Sequence, residues 1–227
     1  YFHRILGRVI GLFFLVPLLY FHLIAKINSK HIYTCYTILF LIILQGFVGW
    51  YMVKSGLVND VTVSHYRLSL HLSLAFLIIS LIFWLILNIK QKTFKNFFKI
   101  KKNNFFLFLL IFIIFGQVIM GAFVSGLDAG KIYQTWPLMG NSYLPNDLSF
   151  EDLKIFFDLD NHSLVQLYHR SFAYIIFLYV IFLTFKIYKT KTSILYKPLS
   201  LLLIFLFLQI ILGIYTLISG LNMYIAS

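Results

Sequence analysis

The chain has 227 residues, of which 61% are hydrophobic and 11% charged, and its mean hydropathy is +0.90. Soluble globular domains carry about 25% charged residues, so this composition excludes a water-soluble globule and predicts a polytopic membrane protein. The net charge of +12 lies mainly in separate loops rather than on one basic surface, and we therefore expect no nucleic acid partner.

Six apolar stretches are each long enough to cross a hydrocarbon layer, which needs a helix of roughly 20 residues. Their runs of Ile, Leu and Phe do not alternate with polar residues, which argues against the strands of a membrane barrel. The sequence therefore predicts an all-α polytopic membrane fold with transmembrane helices at about 4–25, 34–53, 66–89, 105–125, 163–186 and 198–219.

Basic and acidic residues alternate between successive loops. Twelve of the 19 Lys and Arg residues fall in loops at 26–30, 90–102 and 186–197, and all seven acidic residues fall in the two loops between them. Basic loops of membrane proteins stay on the cytoplasmic side, where they also meet anionic membrane lipid. The long loop at 126–162 is therefore expected to face outward.

A repeated pattern connects the two halves of the chain. The pairs His3-Arg4 and His169-Arg170 each open an apolar helix, 166 positions apart, and a helix with the pattern Gln-x3-Gly follows each pair. A third Gln-x3-Gly copy precedes His169. The three copies are Gln45 and Gly49, Gln117 and Gly121, and Gln209 and Gly213.

The repeat lacks counterparts at both ends of the sequence. No Gln-x3-Gly helix precedes His3, and the equivalent of His71 in the second half would fall near position 235. We therefore expect the sequence to be a fragment of a longer chain.

Under this topology His3, His71 and His169 lie on the same, outer side of the membrane. Polar side chains inside a bilayer are costly and mark cofactors, ion paths or partner contacts, and neutral imidazole is a common iron ligand. We interpret the three histidines as haem ligands. The neighbouring arginines, which can pair with haem propionates, are Arg4, Arg8 and Arg170.

Other polar residues favour structural roles. His65 and His162 lie beside outer loops, where a solvated or capping role is expected, and the Gln-x3-Gly pattern is typical of close helix packing. A buried Gln also needs partners, so its side chain is expected to connect adjacent helices near the site. Cys35 cannot form an internal disulfide, because it is the single cysteine.

Five motifs resemble those of haem A synthase, in the family's order and over essentially the whole sequence. They are Tyr-Phe-His-Arg-x-x-Gly-Arg-Val-Ile-Gly-Leu at 1–12, Tyr-Arg-Leu-Ser-Leu-His-Leu at 66–72, Gly-Leu-Asp-Ala-Gly at 126–130, Thr-Trp-Pro-Leu-Met at 135–139 and Tyr-His-Arg at 168–170. The sequence is most similar to the form shared by mitochondria and their bacterial relatives.

The resemblance implies eight transmembrane helices in two four-helix halves, of which this chain would contain six. Residues 1–104 would form the rest of the amino-terminal half, on the substrate haem side, with its basic cytoplasmic linker. Residues 105–227 would form the carboxy-terminal half, on the haem b side, without its last helix.

The resemblance also implies the reaction, in which the C8 methyl of haem O is oxidised to a formyl group by successive hydroxylations, giving haem A for cytochrome oxidase. His3 and His71 match the histidines of the substrate haem half, with Arg4 and Arg8 beside them. His169 and Arg170 match the haem b half, and the second ligand of that iron would follow Ser227. The family's catalytic glutamate would precede Tyr1, so the fragment by itself is expected to be inactive.

The implied partners are haem O and haem A, membrane lipid, an external electron donor, and haem O synthase with cytochrome oxidase assembly factors. Whether the protein forms a homo-oligomer is left open by the sequence. The implied location is the bacterial cytoplasmic membrane or the mitochondrial inner membrane, with the histidine sites on the outer side. Two alternatives use the same features: a bis-histidine dihaem electron-transfer protein of the cytochrome b type, and a transporter with duplicated halves.

Overall fold

The computed structural model describes residues 2–56, 63–93, 95, 97, 105–148 and 153–221. Tyr1, Asp60, Glu151, Asp152 and much of the predicted linker at 90–104 lie outside the described residues. The chain folds as two compact units, Tyr1–Ile100 and Lys101–Ser227.

The described residues contain six helices that are long and apolar enough to cross a membrane, which confirms the predicted all-α polytopic class. Their bounds agree with the predicted stretches to within a few residues at most ends. They are α1 (Phe2–Leu23), α2 (Ser29–Gly56), α3 (His65–Lys90), α4 (Phe105–Gly126), α5 (His162–Lys189) and α6 (Tyr196–Ile218).

The largest difference from prediction is the start of α2, which begins five residues before the predicted position 34. Asn28 explains this earlier start. Its side-chain oxygen accepts a hydrogen bond from the Lys30 amide at 3.0 Å, and its carbonyl accepts one from the His31 amide at 2.9 Å. These bonds pair amide groups of the first turn that have no partner within the helix, so polar residues extend the helix beyond the apolar stretch.

In the first unit, α2 packs against both α1 and α3. Ile38 of α2 is fully buried, and Leu18 of α1 and Leu81 of α3 pack in the same cluster. This cluster lies away from His3 and His71, so it aligns the three helices and leaves the opposite end for polar side chains.

In the second unit, α4 and α5 form the main pair, and α6 packs against α5. Leu110, Ile176, Val180 and Leu183 form the buried cluster. A Cβ atom at Gly116 would lie 2.8 Å from Cε1 of Phe172, so the absence of a side chain at this position lets the two helices approach closely.

Candidate functional site

Two of the predicted histidines meet at one end of the first unit. His3 is in the first turn of α1 and His71 is in the second turn of α3, and their ring centres lie 6.4 Å apart with an interplanar angle of 76°. The His3 side chain is exposed, whereas the His71 side chain is partly buried and its Nδ1 atom is fully buried. The tertiary structure therefore joins two imidazoles that are 68 positions apart in the sequence.

The separation of this pair suits two axial ligands of one metal centre. An imidazole nitrogen lies about 2 Å from a metal that it ligates, so two imidazoles on opposite sides of a metal have ring centres about 6 Å apart. The buried Nδ1 of His71 has no hydrogen-bond partner among the described residues. Both observations fit the haem ligation expected from the sequence.

His71 rests on the face of α2 that carries one copy of the Gln-x3-Gly pattern. Nε2 of Gln45 lies 3.3 Å from Nε2 of His71 and donates to the His71 carbonyl oxygen at 3.0 Å. One turn further along α2, a Cβ atom at Gly49 would lie only 2.9 Å from Cε1 of His71. The glutamine holds one edge of the ring, and the glycine provides the space for the rest of it.

His169 has an equivalent environment in the second unit. Nε2 of Gln117 on α4 lies 3.4 Å from Nε2 of His169 on α5, and a Cβ atom at Gly121 would lie 3.3 Å from Cε1 of His169. The Nδ1 atom of His169 is again buried and has no partner among the described residues. The two units therefore hold their central histidines with the same pair of residue types.

The third copy of the pattern, on α6, has no imidazole packed on its glycine in the part of the chain that the structure describes. Gln209 and Gly213 are both exposed, and a Cβ atom at Gly213 would meet no described atom within 4 Å. This face of α6 is open among the described residues.

The three predicted arginines differ in their surroundings. Arg4 and Arg8 are exposed along α1, close in sequence to His3. Arg170 is half-buried and donates hydrogen bonds to the carbonyl oxygens of Tyr133 at 3.0 Å and Leu138 at 3.2 Å. The guanidinium of Arg170 therefore fastens the loop after α4 beside His169, a role that was not expected from the sequence.

The same loop is attached to α5 at two further points. Ser163 donates to Asp147 at 2.6 Å, and Gln166 donates to the Tyr133 carbonyl at 2.9 Å. Ser163, Gln166 and Arg170 are spaced at three and four residues, so they lie on one face of α5. This face of α5, next to His169, carries the loop that follows α4.

Asp147 and Tyr133 change each other's ionisation within this loop. Partial burial opposes the charged form of Asp147, but hydrogen bonds from Ser163 and Tyr133 outweigh it and lower the pKa of the carboxyl. The hydrogen bond that Tyr133 donates to Asp147, at 2.5 Å, raises the pKa of the Tyr133 hydroxyl, with burial adding to the effect. At neutral pH the pair is therefore a carboxylate and a neutral phenol.

The other histidines lie outside this arrangement. His65 is buried against Tyr66 at the start of α3, with ring centres 4.1 Å apart, so the expected solvated role is wrong and the alternative capping role stays a prediction. His162 is exposed, as expected, and His22 lies at the opposite end of α1, 2.5 Å from the Tyr36 hydroxyl. Across the described ranges, no three His, Cys, Asp or Glu side chains are grouped so as to hold a metal ion by themselves.

Gln45 and Gln117 have a larger part in the site than the sequence indicated. The Gln-x3-Gly pattern was interpreted mainly as helix packing, with Gln in a connecting role near the site. The signal for a direct histidine contact was present, because a glutamine in an apolar span is costly and recurs at the same position before a histidine helix. Its partner could not be identified from the sequence.

The chain is similar in sequence to one known protein family and to several curated proteins. A family model described as "Cytochrome oxidase assembly protein" matches residues 1–227. A curated protein of Pelagibacter ubique is 46% identical over all of this chain and 66% of its own length. Relatives from Wolbachia pipientis wMel and Flavobacterium psychrophilum are 40% and 37% identical over 100% and 99% of this chain.

These relatives each carry the name "Heme A synthase". The chain covers 63% of the Wolbachia protein and 67% of the Flavobacterium protein, so it spans about two thirds of the length of the curated relatives that it matches. No solved structure matches the chain significantly.

Proposed function

Because the chain belongs to the cytochrome oxidase assembly protein family, we propose that it carries the haem sites of a haem A synthase. This enzyme oxidises the C8 methyl group of haem O to a formyl group by successive hydroxylations, using oxygen and electrons from an external donor. The product, haem A, is required by cytochrome oxidase. The observation that carries the proposal is the His3–His71 pair, whose ring centres are 6.4 Å apart.

In this proposal His3 and His71 hold the substrate haem between α1 and α3. Arg4 and Arg8 lie on α1 at and below the level of His3 and are exposed, so each can pair with a propionate near the membrane surface. The apolar faces of the helices can accommodate the farnesyl tail of haem O. These residues bind and orient the substrate, so that its C8 methyl is the group presented for oxidation.

His169 is the proposed ligand of haem b in the second unit. When bound, haem b supplies one-electron transfer between an external donor and the substrate site. Gln117 and Gly121 support the imidazole, and Arg170 holds the outer loop above it. The loop keeps water from this end of α5, and Arg170 can still offer its remaining N–H groups to a propionate.

The proposed location is the cytoplasmic membrane of a bacterium or the mitochondrial inner membrane, as a multi-pass protein. The histidine ends of α1, α3 and α5 then lie on the outer side, because the loops at the other ends of these helices are basic. The proposed partners are haem O and haem A, membrane lipid, an electron donor, haem O synthase and oxidase assembly factors.

The proposal is tested by expressing the chain, with any flanking sequence that its gene encodes, in a host that makes haem O and no haem A. Haems are then extracted and identified by chromatography and mass. We expect a haem A peak for the wild type and its loss in His3→Ala and His71→Ala. His22→Ala is the matched control, because His22 is on the same helix as His3 at the opposite end.

Each outcome of this experiment is informative. Normal haem A yield in both His3→Ala and His71→Ala would remove the substrate site as assigned. A folded wild-type protein that binds haem b and leaves haem O unchanged, with a competent electron donor, would instead favour the dihaem electron-transfer function.

A further inference from the structure

Each unit contains the same three-residue arrangement around one imidazole. In the first unit it consists of Gln45, Gly49 and His71, and in the second unit of Gln117, Gly121 and His169. The Gln and Gly of each set are four residues apart, so both lie on one face of the helix that precedes the histidine helix. We refer to each set as a Gln–Gly–His unit.

The two nitrogens of each imidazole have different surroundings. Nε2 of His71 lies 3.3 Å from the Gln45 amide nitrogen, and Nε2 of His169 lies 3.4 Å from the Gln117 amide nitrogen. The Nδ1 atoms of both rings are buried and have no hydrogen-bond partner among the described residues. The two nitrogens of a metal-ligating histidine differ in the same way, because one binds the metal and the other forms a hydrogen bond with a neighbouring group.

The glutamines also keep an unused acceptor. Oε1 of Gln45 and Oε1 of Gln117 are buried and have no partner among the described residues. A carboxamide can donate through nitrogen or, after half a turn about its last bond, accept through oxygen. When Nδ1 of the histidine binds the metal, Nε2 carries the proton, and the glutamine accepts from it through Oε1 after this half turn; for Gln45 the turn replaces the bond that it donates to the His71 carbonyl. Leu cannot form the bond to Nε2, whereas an ionised Glu can accept it.

The glycines restrict the rotation of the imidazole ring, because the ring packs closely against the helix backbone at these positions. A Cβ atom at Gly49 or Gly121 would lie 2.9 Å or 3.3 Å from Cε1 of the histidine beside it. The ring is therefore confined between a carboxamide and bare helix backbone. Such confinement leaves few orientations for the imidazole plane.

From these contacts we infer that Gln45 and Gln117 are positioning residues for the haem ligands, fixing the orientation of the His71 and His169 rings. This inference rests on the proposed function, since it takes both histidines to be axial ligands. Gln117 would act on the resident haem, and Gln45 would act on the haem that is substrate. Neither glutamine is required to touch the porphyrin.

The role predicts different effects for two substitutions of Gln117. Gln117→Leu removes the hydrogen bond and lets the imidazole turn, so haem affinity should fall about tenfold or more, as is usual when the partner of a metal-ligating histidine is lost. Gln117→Glu supplies an acceptor that pulls on the imidazole N–H and makes the ligand more electron-rich. Its haem should therefore have a lower midpoint potential than the wild type, with binding retained.

The experiment uses the full protein, purified in detergent with its haem. The measurements are the rate of haem loss to an excess of a haem-scavenging protein, the midpoint potential, and the low-temperature electron paramagnetic resonance spectrum of the ferric haem. Thr184→Val is the matched control, because the Thr184 hydroxyl donates to the Val180 carbonyl within the histidine helix itself. Its position, 15 residues beyond His169, is about 22 Å further along the helix.

The expected result is faster haem loss in Gln117→Leu, a lower potential in Gln117→Glu and wild-type behaviour in Thr184→Val. If both Gln117 variants match the wild type in all three measurements, while His169→Ala loses the haem signal, the positioning role is wrong and the proposed function stands. If His169→Ala itself keeps the wild-type spectrum and potential, the ligand assignment is wrong, and the positioning role fails with it.

The same comparison applies to Gln45 through binding of haem O. Gln45→Leu should weaken haem O binding about tenfold, and Gln45→Glu should restore most of the affinity because it still reaches the imidazole. Equal weakening by Leu and Glu would overturn the positioning role of Gln45, since a hydrogen bond to the ring would then not be the property that matters.

Discussion

Ser163, in the first turn of α5, donates a 2.6 Å hydrogen bond to Oδ2 of Asp147 in the loop after α4. Tyr133 donates to the other oxygen of the same carboxylate. Asp147 therefore links a position near the start of the loop to the first turn of the next helix. The attachment depends on the carboxylate being charged and the phenol being neutral.

The first prediction concerns the pH range in which this loop stays attached. A carboxyl with a lowered pKa contributes stability above its unfolded value of 3.8 and loses it as the pH falls through the folded value. A phenol with a raised pKa contributes stability below 10.0 and loses it as the pH rises through the folded value. We expect hydrogen-exchange protection of residues 127–148, corrected for intrinsic rates, to be highest between these limits.

Asp147→Asn tests the cause of that pH dependence. The variant should lose about 1 kcal/mol of local stability at neutral pH and show little further loss on acidification. Asp128→Asn is the control, because the exposed Asp128–Lys131 ion pair, 2.9 Å long, should contribute little. Equal acid sensitivity in wild type and Asp147→Asn would contradict the assignment.

A second prediction concerns Arg170. Because its guanidinium binds two loop carbonyls, Arg170→Gln should weaken the loop attachment by about 1–3 kcal/mol and accelerate proteolysis between residues 127 and 148. Lys189→Ala, at the exposed far end of α5, serves as the control. Unchanged proteolysis in Arg170→Gln, together with reduced haem affinity, would indicate that its main role is propionate binding.

A third prediction ranks glycine substitutions in the two Gln–Gly–His units. Gly49→Ala places Cβ at 2.9 Å from the His71 ring and Gly121→Ala places it at 3.3 Å from the His169 ring. Overpacking costs about 1–3 kcal/mol, so Gly49→Ala should lower the melting temperature more than Gly121→Ala. Gly46→Ala is the control on the same helix, because its Cβ would meet no described atom within 4 Å. A larger effect at position 121 than at 49, or at the control position 46 than at 49, would refute this ranking.

The fourth prediction concerns membrane orientation. In a Cys35→Ser background, a cysteine at Asn141 in the acidic loop should react with a membrane-impermeant maleimide in intact cells. A cysteine at Ile194, which is 82% exposed in the loop between α5 and α6, should react only after permeabilisation. The reverse labelling pattern would invert the topology derived from the basic loops.

Sequence alone was sufficient for the six helices and for the all-α class. Apolar length is a local property, and a helix satisfies its backbone hydrogen bonds within itself, so no distant contact is needed to identify a transmembrane span. The early start of α2 at Ser29 was missed because it depends on hydrogen bonds to Asn28 rather than on apolar residues.

The candidate site was identified only in part. The sequence indicated His3, His71 and His169, because polar residues are conspicuous in apolar helices, and their haem roles stay predictions. It did not identify the partners of Arg170, since these are main-chain carbonyls, which every residue has and no sequence pattern marks. The sequence also did not reveal that the fold buries His65, for which solvation was one of the two expected roles.

The sequence by itself determined where the membrane helices are and which of their polar residues are unusual, since both depend on residue type and on neighbours in the chain. Only the tertiary structure decided which of those residues meet. Gln45 reaches His71 across 26 positions and Gln117 reaches His169 across 52, because the packing of one helix on the next sets the rotation of their faces. That rotation is fixed by side-chain packing along the whole interface, which no single motif encodes.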